Sequence, residues 1–272
     1  MKRSTKQVLF VFCCLVLFIS CAERGEPQPT PEAAKKFLTL KGYKFDQKGF
    51  LAAIAAQDIV SINAFLSAGI DPNVQDPSDG RTALISAAAR GDEEVLKVLL
   101  KGKADVNVKD KIGYTALFHA IEARYDNVAD ILLMQPSLDL NAHGKNGVTA
   151  LISYVWRDKV DVVKNLLERG ADVNQLDNDG DTALHGAVQS GNIEIIELLI
   201  NKNANPNAKN SIGGTPLMWA AAYGNERVVE VLLKNKADAS LRDQDGKTAL
   251  DWARINKRAK IVELLLSKSR VA

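Results

Sequence analysis

Three histidines are the residues of this 272-residue chain best suited to acid–base chemistry or to metal binding. They are His119, His143 and His185. HxxxH or HExxH spacing would allow two imidazoles to bind one metal ion, and no two of these histidines have it. The chain also contains no G-x-S-x-G elbow, no Walker loop and no dinucleotide fingerprint. We therefore expect no catalytic residue, no metal site, no cofactor and no small-molecule substrate.

An acidic run could bind calcium instead. Asp177, Asp179 and Asp181 lie in the segment LDNDGDTAL, which begins like a calcium-binding loop. The glycine spacing of such a loop is incomplete, and no glutamate follows at the position that would bind the ion through both oxygens. We interpret these aspartates as turn-forming and helix-capping residues.

The first twenty residues have the layout of an export signal. A positive segment with Lys2, Arg3 and Lys6 precedes the apolar run Val8–Ile19, which is too short to span a bilayer comfortably. The sequence LFISC that ends at Cys21 resembles a bacterial lipobox, in which cleavage leaves a cysteine that receives lipid. This resemblance predicts a signal peptide over 1–20 and lipidation at Cys21. An ordinary secretory signal and an uncleaved anchor are the alternatives.

Residues 21–44 are predicted to form a tether behind this lipid. Pro27, Pro29 and Pro31 alternate within residues 22–35, a polar composition typical of an extended, mobile chain.

The first twenty residues hold three of the 35 basic residues and none of the 33 acidic ones, so the rest has a formal charge of −1. This balance gives no support to nucleic-acid binding. The expected location is the bacterial envelope. Ala22 after the cysteine favours the outer membrane, facing the periplasm, if there are two membranes.

An internal repeat organises the remainder. Threonines recur at intervals of 33, 34, 33, 33 and 33 residues, and each is followed two positions later by leucine; they are Thr82, Thr115, Thr149, Thr182, Thr215 and Thr248. Self-similarity at this period indicates one supersecondary unit stacked repeatedly. Such a stack offers a long surface rather than a single deep cleft.

The unit itself is predicted to be two helices and a loop. In the copy that begins at Thr82, the threonine is a suitable N-cap and Gly91 can end the first helix in a left-handed conformation. A second apolar helical pattern follows, and it leads into the turn ADVN at 104–107.

These residues resemble the ankyrin repeat, whose signature joins T-P-L-H-x-A to a glycine, an apolar helix and a G-A-D-x-N turn. The fullest matches are TPLMWAAAYGNERVVEVLL from Thr215 and TALHGAVQSGNIEIIELLI from Thr182, and a divergent copy covers 50–73. The resemblance implies an all-α ankyrin-repeat solenoid of about seven helix–turn–helix units, with β-turn or hairpin loops, over 45–272. It also implies a structural role for His185, in hydrogen bonding between neighbouring loops.

Departures from the signature predict local irregularity. Arg124 and Asp158 replace the glycine between the helices, so those two turns are expected to close differently. Lys103, Lys236 and Asn203 stand where left-handed geometry is expected after the second helix. The middle of the stack is therefore expected to be its least regular part.

Resemblance to this family implies a protein partner, bound by the loop tips and the outward residues of the first helices on one concave surface. The residues at these positions are Arg81, Arg90, Tyr114, Glu122, Trp156, Arg157, Gln189 and Tyr223. Trp156 is either a partner contact or a packing residue, whereas Trp219 and Trp252 are expected in the core.

The sequence thus predicts a monomeric, lipid-anchored adaptor, scaffold or inhibitor without catalysis. The alternatives are a structural envelope protein without one specific ligand, and an enzyme with a site in the irregular middle repeats.

Overall fold

The computed structural model describes residues 30–269, in two compact units that divide between Leu138 and Asp139. This part of the chain contains 15 α-helices and one short 3-10 helix over Lys145–Gly147. Its one β-type feature is an isolated bridge between His143 and Thr149. Over the same residues, no helix combines the length and the apolar character needed to cross a membrane.

The first helix, α1 (Pro31–Lys41), was not expected from the sequence. Thr30 accepts a hydrogen bond from the Ala33 amide and Pro31 occupies the first turn, so a proline that suggested extended chain instead begins a helix. Phe37 and Leu38 are fully buried, and α1 packs on a later helix of the same unit. The prediction of an extended tether is therefore wrong for residues 31–35.

Seven helix pairs follow, as predicted. Their first helices are short, and a threonine occupies the N-cap position of each except the divergent first copy, where Asp46 does. The side chain of Thr115 makes no capping hydrogen bond. Pro216 begins one of them, as its fixed φ allows. These helices are α2 (Gln47–Ala55), α4 (Ala83–Arg90), α6 (Ala116–Ala123), α8 (Ala150–Trp156), α10 (Ala183–Ser190), α12 (Pro216–Tyr223) and α14 (Ala249–Ile255).

The second helices bury one apolar stripe, and all except the first of them, which has no charged residue, expose charged residues on the opposite face. In the most regular of them, Ile195, Ile196 and Leu199 are completely buried, as expected for apolar residues at helical spacing. These helices are α3 (Ile59–Ser67), α5 (Glu93–Lys101), α7 (Asp126–Leu133), α9 (Val160–Glu168), α11 (Ile193–Asn201), α13 (Glu226–Lys234) and α15 (Ala259–Ser269).

The turns inside the pairs are more uniform than the sequence suggested. Arg124 and Asp158 adopt left-handed φ values of 60° and 52°, close to the 73° of Gly91. The amide of Asp158 bonds to the carbonyl three residues before it, as that of Gly91 does. The prediction that these turns close differently is therefore wrong. The left-handed geometry expected at Lys103, Asn203 and Lys236 is confirmed, with φ values of 64°, 65° and 68°.

Within each unit, first helices pack on first helices and second on second. In the unit of residues 30–138, α4 contacts α6 and α5 contacts α7; in the unit of residues 139–269, α8, α10, α12 and α14 form one continuous row. Alanines such as Ala87, Ala187 and Ala220 are fully buried in these rows. Small side chains allow the short helices to approach closely, which leaves one side of each row free to face outward.

Loops connect consecutive repeats through side chains as well as backbone. Asn174 accepts a hydrogen bond from the Asn205 amide at 2.8 Å and donates to the Asn203 carbonyl at 3.0 Å. Asn207 makes the equivalent bonds to Asp238 and Lys236 at 2.8 and 3.2 Å. Because each asparagine satisfies backbone groups of the following repeat, neighbouring loops are held in register.

Candidate partner-binding face

The outward side of the first helices and the hairpin tips before them form the surface that we call the first-helix face. Several of these hairpins are closed by the side chain at their first position. Asp177 accepts hydrogen bonds from the amides of Asp179 and Asp181, both at 2.9 Å. The interpretation of this acidic run as turn-forming is confirmed for Asp177. Burial, with the charges of Asp177 and Asp179, raises the pKa of Asp181 despite its bond to Asn210.

Trp156 lies at the end of α8 and is 49% exposed. Its indole covers Gly186 of α10, because a Cβ at Gly186 would lie 2.6 Å from Nε1 and 2.7 Å from Cδ1. Trp156 is therefore a packing residue on one face and is open to solvent on the other. Tyr154, two residues earlier, is buried in the core with 2% exposure.

The next repeats continue this face. Gln189 is exposed near the end of α10, and Tyr223 is 47% exposed at the end of α12. Arg157 is half-buried beyond the end of α8. The sequence therefore placed Trp156, Gln189 and Tyr223 correctly on the outside of the stack.

An apolar groove of about 200 Å³ opens between α12 and α14. It is lined by the side chains and backbone of Ile212, Gly214, Met218, Trp219, Ala222, Tyr223, Asp243 and Trp252. Ile212, at the preceding hairpin tip, is 57% exposed. The prediction that Trp219 and Trp252 belong to the core is wrong, since both are half-buried and line this groove.

Neighbouring groups hold the groove's rings in place. Trp219 packs edge-to-face against His185 at 5.5 Å and against Tyr223 at 6.1 Å between ring centroids. The Trp252 Nε1–H donates to Asp243 Oδ2 at 2.8 Å. Burial opposes the ionisation of Asp243, but hydrogen bonds from the Lys247 amide and the Trp252 indole outweigh it, so the pKa of Asp243 is lowered.

His185 is a structural residue, as the sequence predicted. Its Nδ1 accepts from the Thr182 amide at 3.1 Å, so its Nε2–H is the donor to the Gly214 carbonyl, 3.2 Å away in the next hairpin. Burial lowers the pKa of His185 to about 4, against the opposing effect of that hydrogen bond. The imidazole is therefore neutral at pH 7 and joins two repeats.

The unit of residues 30–138 carries a polar cluster on its own first-helix face. His119 Nε2 lies 2.7 Å from the buried carboxylate of Asp110, and Arg81 Nε lies 3.8 Å from the same group. Tyr114 packs against His119 in a tilted arrangement, with 5.4 Å between ring centroids. Burial, with the charges of Glu122 and Asp110, raises the pKa of Tyr114.

Arg90 is exposed, yet it makes two contacts inside this unit. Its Nε donates to Asp92 at 2.7 Å, and its terminal nitrogen donates to the Ile54 carbonyl of the preceding repeat at 3.2 Å.

His143 makes its contact within its own loop, where Nδ1 lies 2.7 Å from the Gly147 carbonyl oxygen. Across residues 30–269, no group of three or more His, Cys, Asp or Glu is arranged to hold a metal ion. Cys21 lies outside the described residues.

Comparison with known proteins agrees with this architecture. The family described as "Ankyrin repeats (3 copies)" matches the chain over residues 50–143, 136–210 and 202–271. The chain belongs to the ankyrin-repeat family. This ankyrin-repeat protein is similar to the crystal structure of the ankyrin repeat domain of Bcl-3, "a unique member of the IkappaB protein family". The TM-score is 0.63 with 26% sequence identity, over 78% of this chain and 97% of that one.

No curated protein matches this ankyrin-repeat protein in sequence. The predicted all-α ankyrin-repeat fold is confirmed. Ankyrin repeats are typically scaffolds for protein–protein interaction rather than enzymes. Membership of the family therefore supports binding to a protein partner in general. Sequence reasoning missed the groove, although the recurrence of tryptophan at Trp219 and Trp252, 33 residues apart, was a signal that could have indicated it.

Proposed function

We propose that this ankyrin-repeat protein is an adaptor, scaffold or inhibitor that binds another protein through its first-helix face and is held by lipid on Cys21 in a bacterial envelope. The observation that carries the binding proposal is the pair of half-exposed aromatic side chains, Trp156 and Tyr223, in the unit of residues 139–269. Tyr, Trp and Arg are the residues that anchor protein interfaces most often, and exposed apolar patches mark interaction sites.

The proposed contacts differ in weight. Trp156 is the central anchor because it presents a ring already fixed on one side by Gly186, and Arg157 flanks it. A fixed ring loses little conformational entropy on binding. Loss of a central anchor costs about 2–4 kcal/mol of binding free energy, whereas a rim residue costs less than about 1 kcal/mol. In this proposal Gln189 and Tyr223 are rim residues in the unit of residues 139–269. On the first-helix face of the unit of residues 30–138, Arg81 is a rim residue, and Arg90, Tyr114 and Glu122 are further partner contacts.

The titratable residues support binding rather than chemistry. His185 is buried and joins two hairpins. His119 pairs with the buried carboxylate of Asp110. Both imidazoles therefore already serve the fold, and the proposal assigns no reaction to the protein.

The lipid anchor is supported by the sequence alone. Lys2, Arg3 and Lys6 precede an apolar run that ends in LFISC, and Ala22 follows the cysteine. We place the protein in the outer membrane, facing the periplasm, if the cell has two membranes. One acyl chain gives marginal membrane binding and several give stable attachment, so a multiply acylated Cys21 would attach the monomer stably to the membrane.

Affinity capture from detergent-solubilised membranes tests the binding proposal, with two matched variants. Gln189→Arg adds a charge to the first-helix face, whereas Asn201→Arg adds the same charge at an exposed position on the second helix of that repeat. We expect one stoichiometric partner with wild type and Asn201→Arg, and at least a tenfold loss with Gln189→Arg. Equal recovery with both variants would exclude this face. No partner in any sample would favour a structural envelope role.

A further inference from the structure

The groove between α12 and α14 combines three aromatic rings with one carboxylate. Trp219 and Tyr223 belong to α12, Trp252 belongs to α14, and Asp243 lies in the hairpin before α14. Of the eight residues that line the groove, none is basic and Asp243 is the one acid. Its volume of about 200 Å³ is below the range typical of sites for drug-sized ligands. A small chemical group is therefore the occupant that fits.

Register explains why the groove is open. Trp156 and Ala222 occupy equivalent positions, seven residues after the threonine of their repeats. The indole of Trp156 covers the position of Gly186 in the next helix. In the later repeat the sizes are exchanged. The small residue, Ala222, lies on the first of the two helices, and the large residue, Trp252, lies on the second. A small residue on α12 therefore leaves the ring of Trp252 uncovered on the groove side.

The aromatic rings that line the groove can attract a cation. Aromatic faces carry the negative part of the ring quadrupole and attract cations within about 6 Å of the centroid. Trp252 already shows this preference, since the Lys247 ammonium lies 5.4 Å from its centroid. Lys247 is paired with Asp245 at 2.6 Å, and Arg258 donates to the Ala222 carbonyl at 3.1 Å. Lys247 is therefore bound to an acceptor outside the lining, and Arg258 is bound to the backbone of the lining residue Ala222.

We propose that this groove binds a small molecule bearing a quaternary ammonium group, with Trp219, Tyr223 and Trp252 as its walls and Asp243 as its counter-charge. A primary ammonium would lose hydrogen bonds to water in so apolar a lining, and Asp243 alone could replace few of them. A quaternary ammonium has no hydrogen to donate. Its methyl groups bury against the rings while its charge remains near their faces. This inference goes beyond partner binding, and its test needs no partner protein.

Calorimetric titration with choline is the direct test. The control ligand is 3,3-dimethyl-1-butanol, which has the shape of choline with carbon in place of the charged nitrogen. We expect saturable binding of choline at one site, and affinity for the neutral compound that is at least about tenfold weaker because it lacks the cation–π attraction. Equal affinity for the two compounds would show a simple hydrophobic groove and would overturn the proposal. So would the absence of choline binding.

Variants of the protein locate the site. Ala222→Trp should fill the groove and abolish choline binding, whereas Ala89→Trp, at the same register of α4, should leave it unchanged. Asp243→Asn should weaken choline binding several-fold and remain folded, because Asn210 closes the preceding hairpin at the equivalent position, with its Oδ1 2.8 Å from the Gly214 amide. Retained binding in folded Ala222→Trp would place choline elsewhere and refute the assignment.

Vesicles of phosphatidylcholine distinguish the two sources of this group. Retention on vesicles that free choline displaces would identify a lipid headgroup as the occupant. Choline binding without retention would identify a free quaternary ammonium compound. The vesicle assay uses the Cys21→Ala background, in which no acyl group on that residue can hold the protein to the bilayer. Whichever of choline binding and vesicle retention this protein shows should be lost with Ala222→Trp and kept with Ala89→Trp; vesicle retention that neither choline nor Ala222→Trp affects would refute the proposal.

Discussion

Gly186→Ala tests the contact that defines the best-supported part of the first-helix face. The new Cβ would lie 2.6 Å from Nε1 of Trp156, so the indole must shift away from α10. A buried tryptophan covers about 200 Å², and Trp156 is 49% exposed. Displacing the ring therefore returns about 100 Å² to water, which costs at most about 2.5 kcal/mol.

Helix propensity acts in the opposite direction. Gly186 lies inside α10, where alanine is favoured over glycine by about 1 kcal/mol. The single variant Gly186→Ala should therefore lose up to about 1.5 kcal/mol of unfolding free energy. In the Trp156→Ala background the clash is absent, and the same change should add about 1 kcal/mol. The sign reverses between the two backgrounds, with a coupling energy of about 2.5 kcal/mol.

Urea unfolding followed by circular dichroism on the four proteins of this cycle gives the coupling energy directly. If Gly186→Ala stabilises both backgrounds equally, Trp156 does not rest on α10 and its proposed role as a fixed anchor is wrong. The cycle also separates the two alternatives that the sequence left open for Trp156. A Trp156 that served only as a partner contact would leave stability unchanged on truncation, whereas the observed packing predicts a loss of up to about 2.5 kcal/mol.

Four further predictions concern stability and anchoring. Leu199→Ala should cost about 2–5 kcal/mol in urea unfolding, because Leu199 is completely buried; a loss below 1 kcal/mol would contradict its place in the core. Because the folded pKa of His185 is about 4 against an unfolded value of 6.5, its contribution is present above pH 6.5 and is lost as pH falls towards 4. Wild type should therefore lose up to about 3 kcal/mol more than His185→Gln over that range, and parallel pH profiles of the two proteins would refute this assignment. Labelling with a palmitate analogue should mark wild type but not Cys21→Ala, and equal labelling would exclude this anchor. Hydrogen exchange should be faster over 124–158 than over 182–233, whereas uniform protection would contradict the weaker middle repeats.

The repeat pattern predicted the fold because each local signal agrees with the others. The threonine period located the first helices, and residues such as Thr215 and Gly224 do cap and end α12 as their types predict. Arg124 departs from the pattern in type but not in geometry. The surrounding helices impose the left-handed turn, which costs a residue with a Cβ about 1–2 kcal/mol and cannot be deduced from residue preference alone.

The site was less accessible from the sequence than the fold. Trp219 and Trp252 lie at positions where the apolar pattern predicts core residues. They are exposed to the groove because Ala222, which lines it beside them, has a small side chain. The sequence likewise gives no reason for a glycine at position 186, and the reason becomes clear only in the structure, where the indole of Trp156 covers it. Which ring covers which small residue is decided between repeats, so one repeat's sequence cannot determine it. The helix after Thr30 was hidden by its proline-rich composition.

Site-specific photo-crosslinking in intact cells tests the central claim most directly. A benzoylphenylalanine in place of Gln189 reports on the first-helix face, and the same residue in place of Asn201 reports on the second helix of that repeat, since both positions are exposed. We predict one crosslinked protein of defined mass from position 189 and none from position 201. The same crosslinked products from both positions, or a product from position 201 alone, would contradict binding through the first-helix face.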